Sequence, residues 1–584
     1  MEGGASQSRP RRPDEQAAWL ARLDPELRAW LDTRMAPVSL RGGDVLFEAG
    51  SPADCLYLLR SGSLGAFDSG EGERLLGQVM AGETVGEVGV LTGRTRNATV
   101  RALRDSELAR LGRDDFDELA RRDPGVVRGL ASLAVERASR PHAQRLSAAP
   151  RTLCLLPQHE GLDVHRLASE LAAELSRHGR AIVVDATSDV ARDPSALAAL
   201  EADHRHVLYV ASASNDSFRE LCLRQADALV FVAGAGAEPA PFSELHRDAK
   251  LALPRPEHLV VLHPSGELRL GAGRLWSERR PTARLHHVRA PSDAARVARL
   301  VSGRSTSLVL SGGGARGFAH LGVIRALRES GIPVDAVGGT SIGSIVGAGI
   351  AADWSVEAMT EGYRRAFVAQ NPLSDYTFPF VSLVSGRKVS RLLRETYGAR
   401  DIEDLLLPFY CVSANLTAGR AMVHRRGPLW QWLRASVAIP GVLPPVFHRG
   451  HVFVDGGIIN NLPVDVMRES QAGDVIAVDI GSDDAVGVPP VIEEHELPSL
   501  FRVVYEWLTG RRRPSILQIM LRAGMINASV ATTAARSAST LVLAPPLGGV
   551  DLLEWKAFDR AIAIGYEHTM RALEDRATER LRGA

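Results

Sequence analysis

Only four cysteines, Cys55, Cys154, Cys222 and Cys411, occur in 584 residues, and they are widely scattered. That spacing supports neither a disulfide framework nor a cysteine metal site, and it fits a reducing compartment. Excess charge is missing as well. The 69 basic residues balance the 69 acidic ones, so no overall field draws the chain to nucleic acid or to an anionic membrane, and any such contact must be local. No apolar run approaches the roughly 20 residues of a membrane span. The polar start, Met1 to Asp14, contains Pro and Arg and lacks the apolar core of a signal peptide. These absences predict a cytoplasmic protein, soluble or in peripheral contact with the inner membrane surface, that binds no nucleic acid. Aromatic residues are scarce at 5%, so a local cluster of them stands out.

The length exceeds one ordinary core and predicts roughly two to four domains. Residues 1–19 read as a disordered tail. Residues 20–140 hold a helical lead and then brief apolar runs such as Val45–Phe47, Leu56–Leu59 and Leu75–Val79 between glycine turns, the pattern of a small β-barrel. Residues 150–300 hold continuous apolar runs at Thr152–Leu156, Ala181–Asp185, His206–Val210, Ala228–Val232 and His258–Leu262, alternating with helical patterns. Such alternation predicts a parallel, doubly wound sheet. Its first loop, Pro157–Gly161, lacks the glycine-lysine pair of a P-loop, so a structural or interface role is expected there. His204 and His206 follow Asp203 without a further ligand at metal spacing, so no metal is expected.

The strongest chemical signals lie in residues 303–584. A short apolar run ending at Val337 enters Gly339-Thr340-Ser341-Ile342-Gly343, and a helix of small residues follows. This G-x-S-x-G pattern sets a serine on a tight strand-to-helix turn, where flanking Gly339 and Gly343 let strand and helix approach and the helix presents its positive end. Upstream, Leu308–Leu310 runs into Ser311-Gly312-Gly313-Gly314-Ala315-Arg316-Gly317 before another helix. A glycine turn in that position leaves backbone N–H groups free to hold a developing oxyanion. Downstream, Val452–Val454 ends in Asp455-Gly456-Gly457, a carboxylate placed where a base could reach a serine hydroxyl.

These blocks, in this order and joined by Arg434-Ala435-Ser436-Val437-Ala438-Ile439-Pro440-Gly441, resemble the patatin-like phospholipases. The resemblance implies an α/β/α hydrolase domain with a catalytic dyad and no histidine. Ser341 would be the nucleophile and Asp455 its base. The oxyanion loop would span Gly312, Gly313, Gly314 and Arg316, supported by Gly317, Gly339, Gly343, Gly456 and Gly457. Ser311 stands where plant relatives often carry an acid. The implied reaction is hydrolysis of a lysophospholipid or phospholipid ester, with no cofactor required.

In the barrel region, Gly86-Glu87 followed by Arg94-Thr95-Arg96-Asn97-Ala98-Thr99 is similar in spacing to the phosphate cassette of cyclic-nucleotide-binding domains. By that resemblance Glu87 would hold a ribose 2′-hydroxyl and Arg96 the cyclic phosphate, with Gly86 part of the same nucleotide site and cAMP or cGMP as a regulator. Thr95 replaces the usual proline and leaves the loop less preorganised. Barrel, α/β middle and patatin-type domain in this order resemble bacterial relatives of neuropathy target esterase, a multidomain α/β architecture.

Other readings compete. Gly312, Gly314 and Gly317 also fit G-x-G-x-x-G with Asp335 beyond, but dinucleotide binding would leave Ser341 and Asp455 in their glycine settings unexplained. A triad could use His320, His424 or His448 as base. A catalytically silent cyclic-nucleotide sensor or scaffold is the alternative from another class. Two further stretches bear on lipid. The run Tyr376–Val384 is rich in aromatics and reads as a groove or lid for an acyl chain, or as plain core. Arg511–Arg513 beside the helical spacing of Leu500, Val503, Val504, Trp507 and Leu508 reads as a membrane seat or a solvated turn.

Overall fold

The computed structural model describes residues 23–68, 75–139, 150–189, 194–213, 217–239, 255–281, 283–471, 473–481 and 530–582. The predicted tail at 1–19 and the basic cluster at Arg511–Arg513 with its neighbouring apolar pattern lie outside the described residues. Two compact units interleave in sequence. One comprises residues 1–262, 279–284 and 290–302, the other 263–278, 285–289 and 303–584.

Among the described residues the first unit begins with the helix Pro25–Arg34, whose N-terminus is capped by Asp24. Two four-stranded antiparallel sheets follow, in the orders Ala36–Leu40, Ser106–Gly112, Cys55–Ser61, Thr84–Val85 and Val45–Phe47, Thr99–Ala102, Ser63–Phe67, Leu75–Met80. Alternating apolar residues such as Leu59, Leu64, Val79, Val100 and Leu108 close the barrel core between them. The helices Arg113–Arg122 and Pro124–Ser139 come next, and Leu119, Val126 and Leu130 pack with Leu31 and Leu56 in a second cluster. The α/β part then runs in parallel order Ala181–Asp185, His206–Val210, Thr152–Pro157, Ala228–Gly234, Glu257–Leu262. The inner strands Thr152–Pro157, His206–Val210 and Ala228–Gly234 are buried on both faces, which explains why they read as unbroken apolar runs, while the edge strand Ala181–Asp185 is half-buried. The first loop is held by His159, whose Nε2 accepts the Gly234 amide at 3.0 Å.

The second unit is built on a mixed sheet in the order Val446–His448, His451–Asp455, Phe409–Asn415, Ala336–Thr340, Ser305–Leu310, Gly473–Val478, Leu541–Leu543, with Arg420–His424 also paired to Phe409–Asn415. Its middle strands are parallel, and the C-terminal ends of Ser305–Leu310 and Ala336–Thr340 carry the glycine loop and the serine turn, while the antiparallel strand His451–Asp455 brings the aspartate block beside them. The last helix, Phe558–Arg582, packs on Ala319–Glu329 so closely that a Cβ on Gly322 would fall 2.0 Å from the Ile562 carbonyl. No helix among the described residues is long and apolar enough to cross a membrane.

Candidate active site

The strand Ala336–Thr340 ends one residue before the nucleophile position, and the helix Ile342–Ala351 starts one residue after it. Ser341 between them holds φ 54° and ψ −129°, a left-handed backbone that a non-glycine residue adopts only under constraint. Close glycine packing supplies that constraint. A Cβ on Gly343 would lie 2.4 Å from the Leu310 carbonyl oxygen, and one on Gly339 would lie 2.8 Å from the Gly343 carbonyl. The Ser341 amide donates to Ser436 Oγ at 2.9 Å, and Ser436 Oγ donates to the Val412 carbonyl at 2.7 Å.

The central strand Phe409–Asn415 sets the distance between the serine and the aspartate. Val412 pairs with Thr340, and the next residue, Ser413, pairs with Asp455. Ser341 Oγ donates to Asp455 Oδ2 at 2.6 Å. Asp455 Oδ1 accepts the Gly457 amide at 2.8 Å, which fixes the carboxylate plane. Both side chains are buried, Ser341 at 8% and Asp455 at 6% exposure. Burial pushes the Asp455 carboxyl up to about 6, against the lowering effect of the hydrogen bonds from Ser341 and Gly457. A carboxylate so adjusted is a stronger base than an exposed one.

The glycine loop lies directly over this pair. A Cβ on Gly312 would sit 2.9 Å from Ser341 Cβ and 2.6 Å from Asn461 Oδ1. The Gly312 amide donates to Asn461, to its carbonyl at 3.3 Å and its Oδ1 at 3.2 Å, and the Arg316 amide donates to Gly313 O at 3.2 Å. No acceptor for the Gly313 or Gly314 amide is found among the described residues. Of the four loop residues named from the sequence, these two therefore retain donors for a ligand. Gly314 also takes φ 56° and packs against the Leu552 carbonyl, where a Cβ would fall 2.1 Å away. The Arg316 side chain is buried and donates from Nε to Val550 O at 2.6 Å.

Each candidate histidine is engaged elsewhere. His320 Nε2 meets the Ser311 carbonyl at 3.0 Å, His424 Nε2 meets Ser413 Oγ at 2.7 Å, and His448 Nδ1 meets Gln431 Nε2 at 3.0 Å. Burial lowers His320 to about 4 and His424 to about 3.

Beneath Ser341 opens an apolar cavity of about 730 Å³, counting the space at its mouth. Gly314 and Ser341 border it, and Ile345, Phe367, Leu392, Leu393, Leu443 and Trp555 are among its walls. The aromatic run takes no part in these walls. Tyr376, Phe378 and Phe380 are 73–86% exposed, and the rings of Phe378 and Phe380 lie 4.7 Å apart on the surface. Sequence reasoning did not assign roles to Asn461 and Ser436. Ser436 lies within the Arg434–Gly441 block, and the local sign of Asn461 is the Asn460-Asn461-Leu462-Pro463 turn that follows Asp455-Gly456-Gly457.

Comparison with known proteins matches the chain region by region. Residues 308–468 match the model of the patatin-like phospholipases, 37–123 that of the cyclic nucleotide-binding domain, and 150–310 that of the neuropathy target esterase family P-loop like domain. An uncharacterized NTE family protein of Mycobacterium bovis is 31% identical over 578 residues, covering 95% of both chains. The chain belongs to the neuropathy target esterase (NTE) family. Human patatin-like phospholipase domain-containing protein 6 is 30% identical over 94% of this chain, and lysophospholipase nte1 of Aspergillus niger is 29% identical over 95% of it. This NTE family chain spans 45% and 42% of those two longer relatives.

In the barrel, the Arg96 side chain is 5% exposed and turned onto the protein itself. It donates from Nη1 to Gly86 O at 2.9 Å and from Nη2 to Cys55 O at 2.7 Å, with its Cζ 4.3 Å from the centre of the Phe47 ring. Gly86 holds φ 85° at the start of the helix Glu87–Thr92, and Glu87 is buried in its first turn.

Proposed function

We propose that this chain hydrolyses the carboxylic ester of a lysophospholipid or phospholipid through Ser341 and Asp455. The 2.6 Å contact from Ser341 Oγ to a buried carboxylate at the rim of an apolar cavity carries the reading. Asp455 removes the Ser341 proton as Oγ attacks the ester carbonyl carbon. The negative charge that develops on the carbonyl oxygen falls to the Gly313 and Gly314 amides, while Gly312 and Arg316 hold the loop in shape through their own bonds. Asp455 returns the proton to the departing alkoxide of the head group. A water molecule, deprotonated by the same carboxylate, then splits the acyl-enzyme and releases the fatty acid. The apolar cavity takes the acyl chain, and the exposed Tyr376, Phe378 and Phe380 meet the lipid surface.

The barrel in this reading is filled by its own arginine. A cyclic phosphate would have to replace two carbonyl acceptors and draw Arg96 from the face of Phe47. The test is hydrolysis of lysophosphatidylcholine by wild type and Ser341→Ala, each with and without millimolar cyclic AMP. The wild type is expected to release fatty acid, the variant to lose activity by about 10³-fold or more, and the nucleotide to leave the rate unchanged. Turnover by Ser341→Ala overturns the nucleophile, and a nucleotide effect overturns the reading of Arg96.

A further inference from the structure

The helix Arg387–Tyr397 carries two chemistries at two registers. Val389, Leu392, Leu393, Thr396 and Tyr397, spaced i, i+3, i+4, i+7 and i+8, line the apolar cavity under Ser341. Arg387, Ser390 and Arg394, spaced i, i+3 and i+7, line a second cavity of about 860 Å³, counting its open mouth. Its other wall is the helix Leu429–Ser436, through Trp430, Gln431 and Arg434, with Pro444 to Phe447 closing the side. The described lining holds three arginines and no carboxylate.

Arg434 is the unusual member, because it is a cation only 5% exposed. Its Nη2 donates to Pro444 O at 2.9 Å, while Nε and Nη1 are buried and meet no acceptor among the described residues. Burial lowers its pKa to about 10, and the nearby Asp375 carboxylate acts in the opposite direction. Of that carboxylate, Oδ2 accepts from Ser385 Oγ at 2.6 Å and from the Lys388 amide at 3.1 Å, while Oδ1 is buried and accepts from neither Arg434 nor any other donor among the described residues. A buried guanidinium with unmet donors is costly, and an anion with several acceptor oxygens offsets the cost. Arg394 is exposed and stacked on Trp430, its Cζ 4.2 Å from the ring centre. Arg387 is exposed as well. The helix terminus adds nothing, because its Arg387 amide already faces Ser385 Oγ and its Lys388 amide faces Asp375. The cation set therefore makes the site, and guanidinium forks with the Ser390 hydroxyl suit the oxygens of a phosphate.

The rim identifies the source of that phosphate. Phe447, itself a lining residue, is 70% exposed. The exposed run Tyr376, Phe378, Phe380, Val381 and Leu383 leads along the chain directly into Ser385 of the lining. A free anion needs no apolar rim, whereas a phospholipid brings phosphate and hydrocarbon together. We propose that this cavity holds the head-group phosphate of a phospholipid, with the helix Arg387–Tyr397 standing between it and the acyl cavity. The choice of lipid as the source rests on the hydrolase reading; the cation set does not.

The test uses full-length Ser341→Ala, so that binding is read without turnover. Phosphorus NMR follows titration with glycerophosphocholine and, separately, with inorganic phosphate. The expected result is saturable glycerophosphocholine binding that weakens about tenfold or more when Arg387→Ala and Arg394→Ala are added, the scale of one lost charge-assisted hydrogen bond. Thermal unfolding confirms that the added changes leave the fold intact. Arg434→Lys, which keeps the charge and loses the fork, is expected to weaken binding too. Binding of inorganic phosphate without glycerophosphocholine overturns the head-group assignment. Binding of neither, or binding indifferent to the arginines, overturns the site. A wild type that hydrolyses no lysophospholipid while Ser341→Ala still binds glycerophosphocholine would defeat the hydrolase reading and leave the phosphate site standing.

Discussion

At Asp455, burial and hydrogen bonding pull in opposite directions, and burial wins, which leaves the carboxyl near 6. Only the ionised form can accept the Ser341 proton, so hydrolysis is expected to rise with pH through about 6 and then level off. A rate that stays flat between about pH 5 and 8 would contradict the base assignment. The same shift has a consequence for stability. The folded-state value lies above the unfolded one, so the stabilising contribution is complete below the unfolded pKa and is lost as pH climbs through the folded one. Asp455→Asn removes that loss. The variant is therefore expected to be inactive yet more stable than wild type well above pH 6, by up to about 3 kcal/mol, with the gap closing in acid. Thermal unfolding at several pH values checks this. A variant destabilised at every pH would mean that the carboxylate is chiefly structural.

The glycine loop and its partners act as one element. Gly312→Ala places a methyl group against Ser341 Cβ and Asn461 Oδ1, and it should tilt the Gly313 and Gly314 amides away from the reacting oxygen. The expected loss is about 10² to 10³ in kcat, the scale of one misplaced oxyanion donor, together with a lowered unfolding midpoint from the overpacked loop. Undiminished kcat would show that the loop amides do not face the reaction. Ser341, Asp455 and the loop were legible in the sequence because each sits in a local glycine pattern bound to a strand end. Asn461 and Ser436 were not, since their bonds reach Gly312 across 149 residues and Ser341 across 95. Nor does spacing reveal that Asn461 and Gly313 use up the Gly312 and Arg316 amides. The apolar run ending at Val337 forms a strand only from Ala336, because Pro333 upstream has no N–H to give to a ladder. The aromatic run Tyr376–Val384 had no pattern to separate a groove or lid from plain core, and its rings lie on the surface.

At the scale of the whole molecule, the first unit joins its barrel to its parallel sheet through a buried ion cluster. Arg104, between two barrel strands, meets Glu201 and Asp227 at 2.7 Å each, and Tyr209 donates to Glu201 at 2.9 Å. Arg104→Met leaves two buried carboxylates without their cation, and it should cost this unit about 3–5 kcal/mol. Calorimetry should show the first unit unfolding earlier, and an unchanged profile would mean that the carboxylates are satisfied without Arg104. The catalytic account itself depends on the second unit, where serine and aspartate meet under the glycine loop. Fluorophosphonate labelling followed by peptide mass spectrometry tests it most directly. The adduct is predicted on Ser341, absent from Ser341→Ala and strongly slowed in Asp455→Asn. Label on another hydroxyl, or a rate unchanged by loss of the carboxylate, would contradict it.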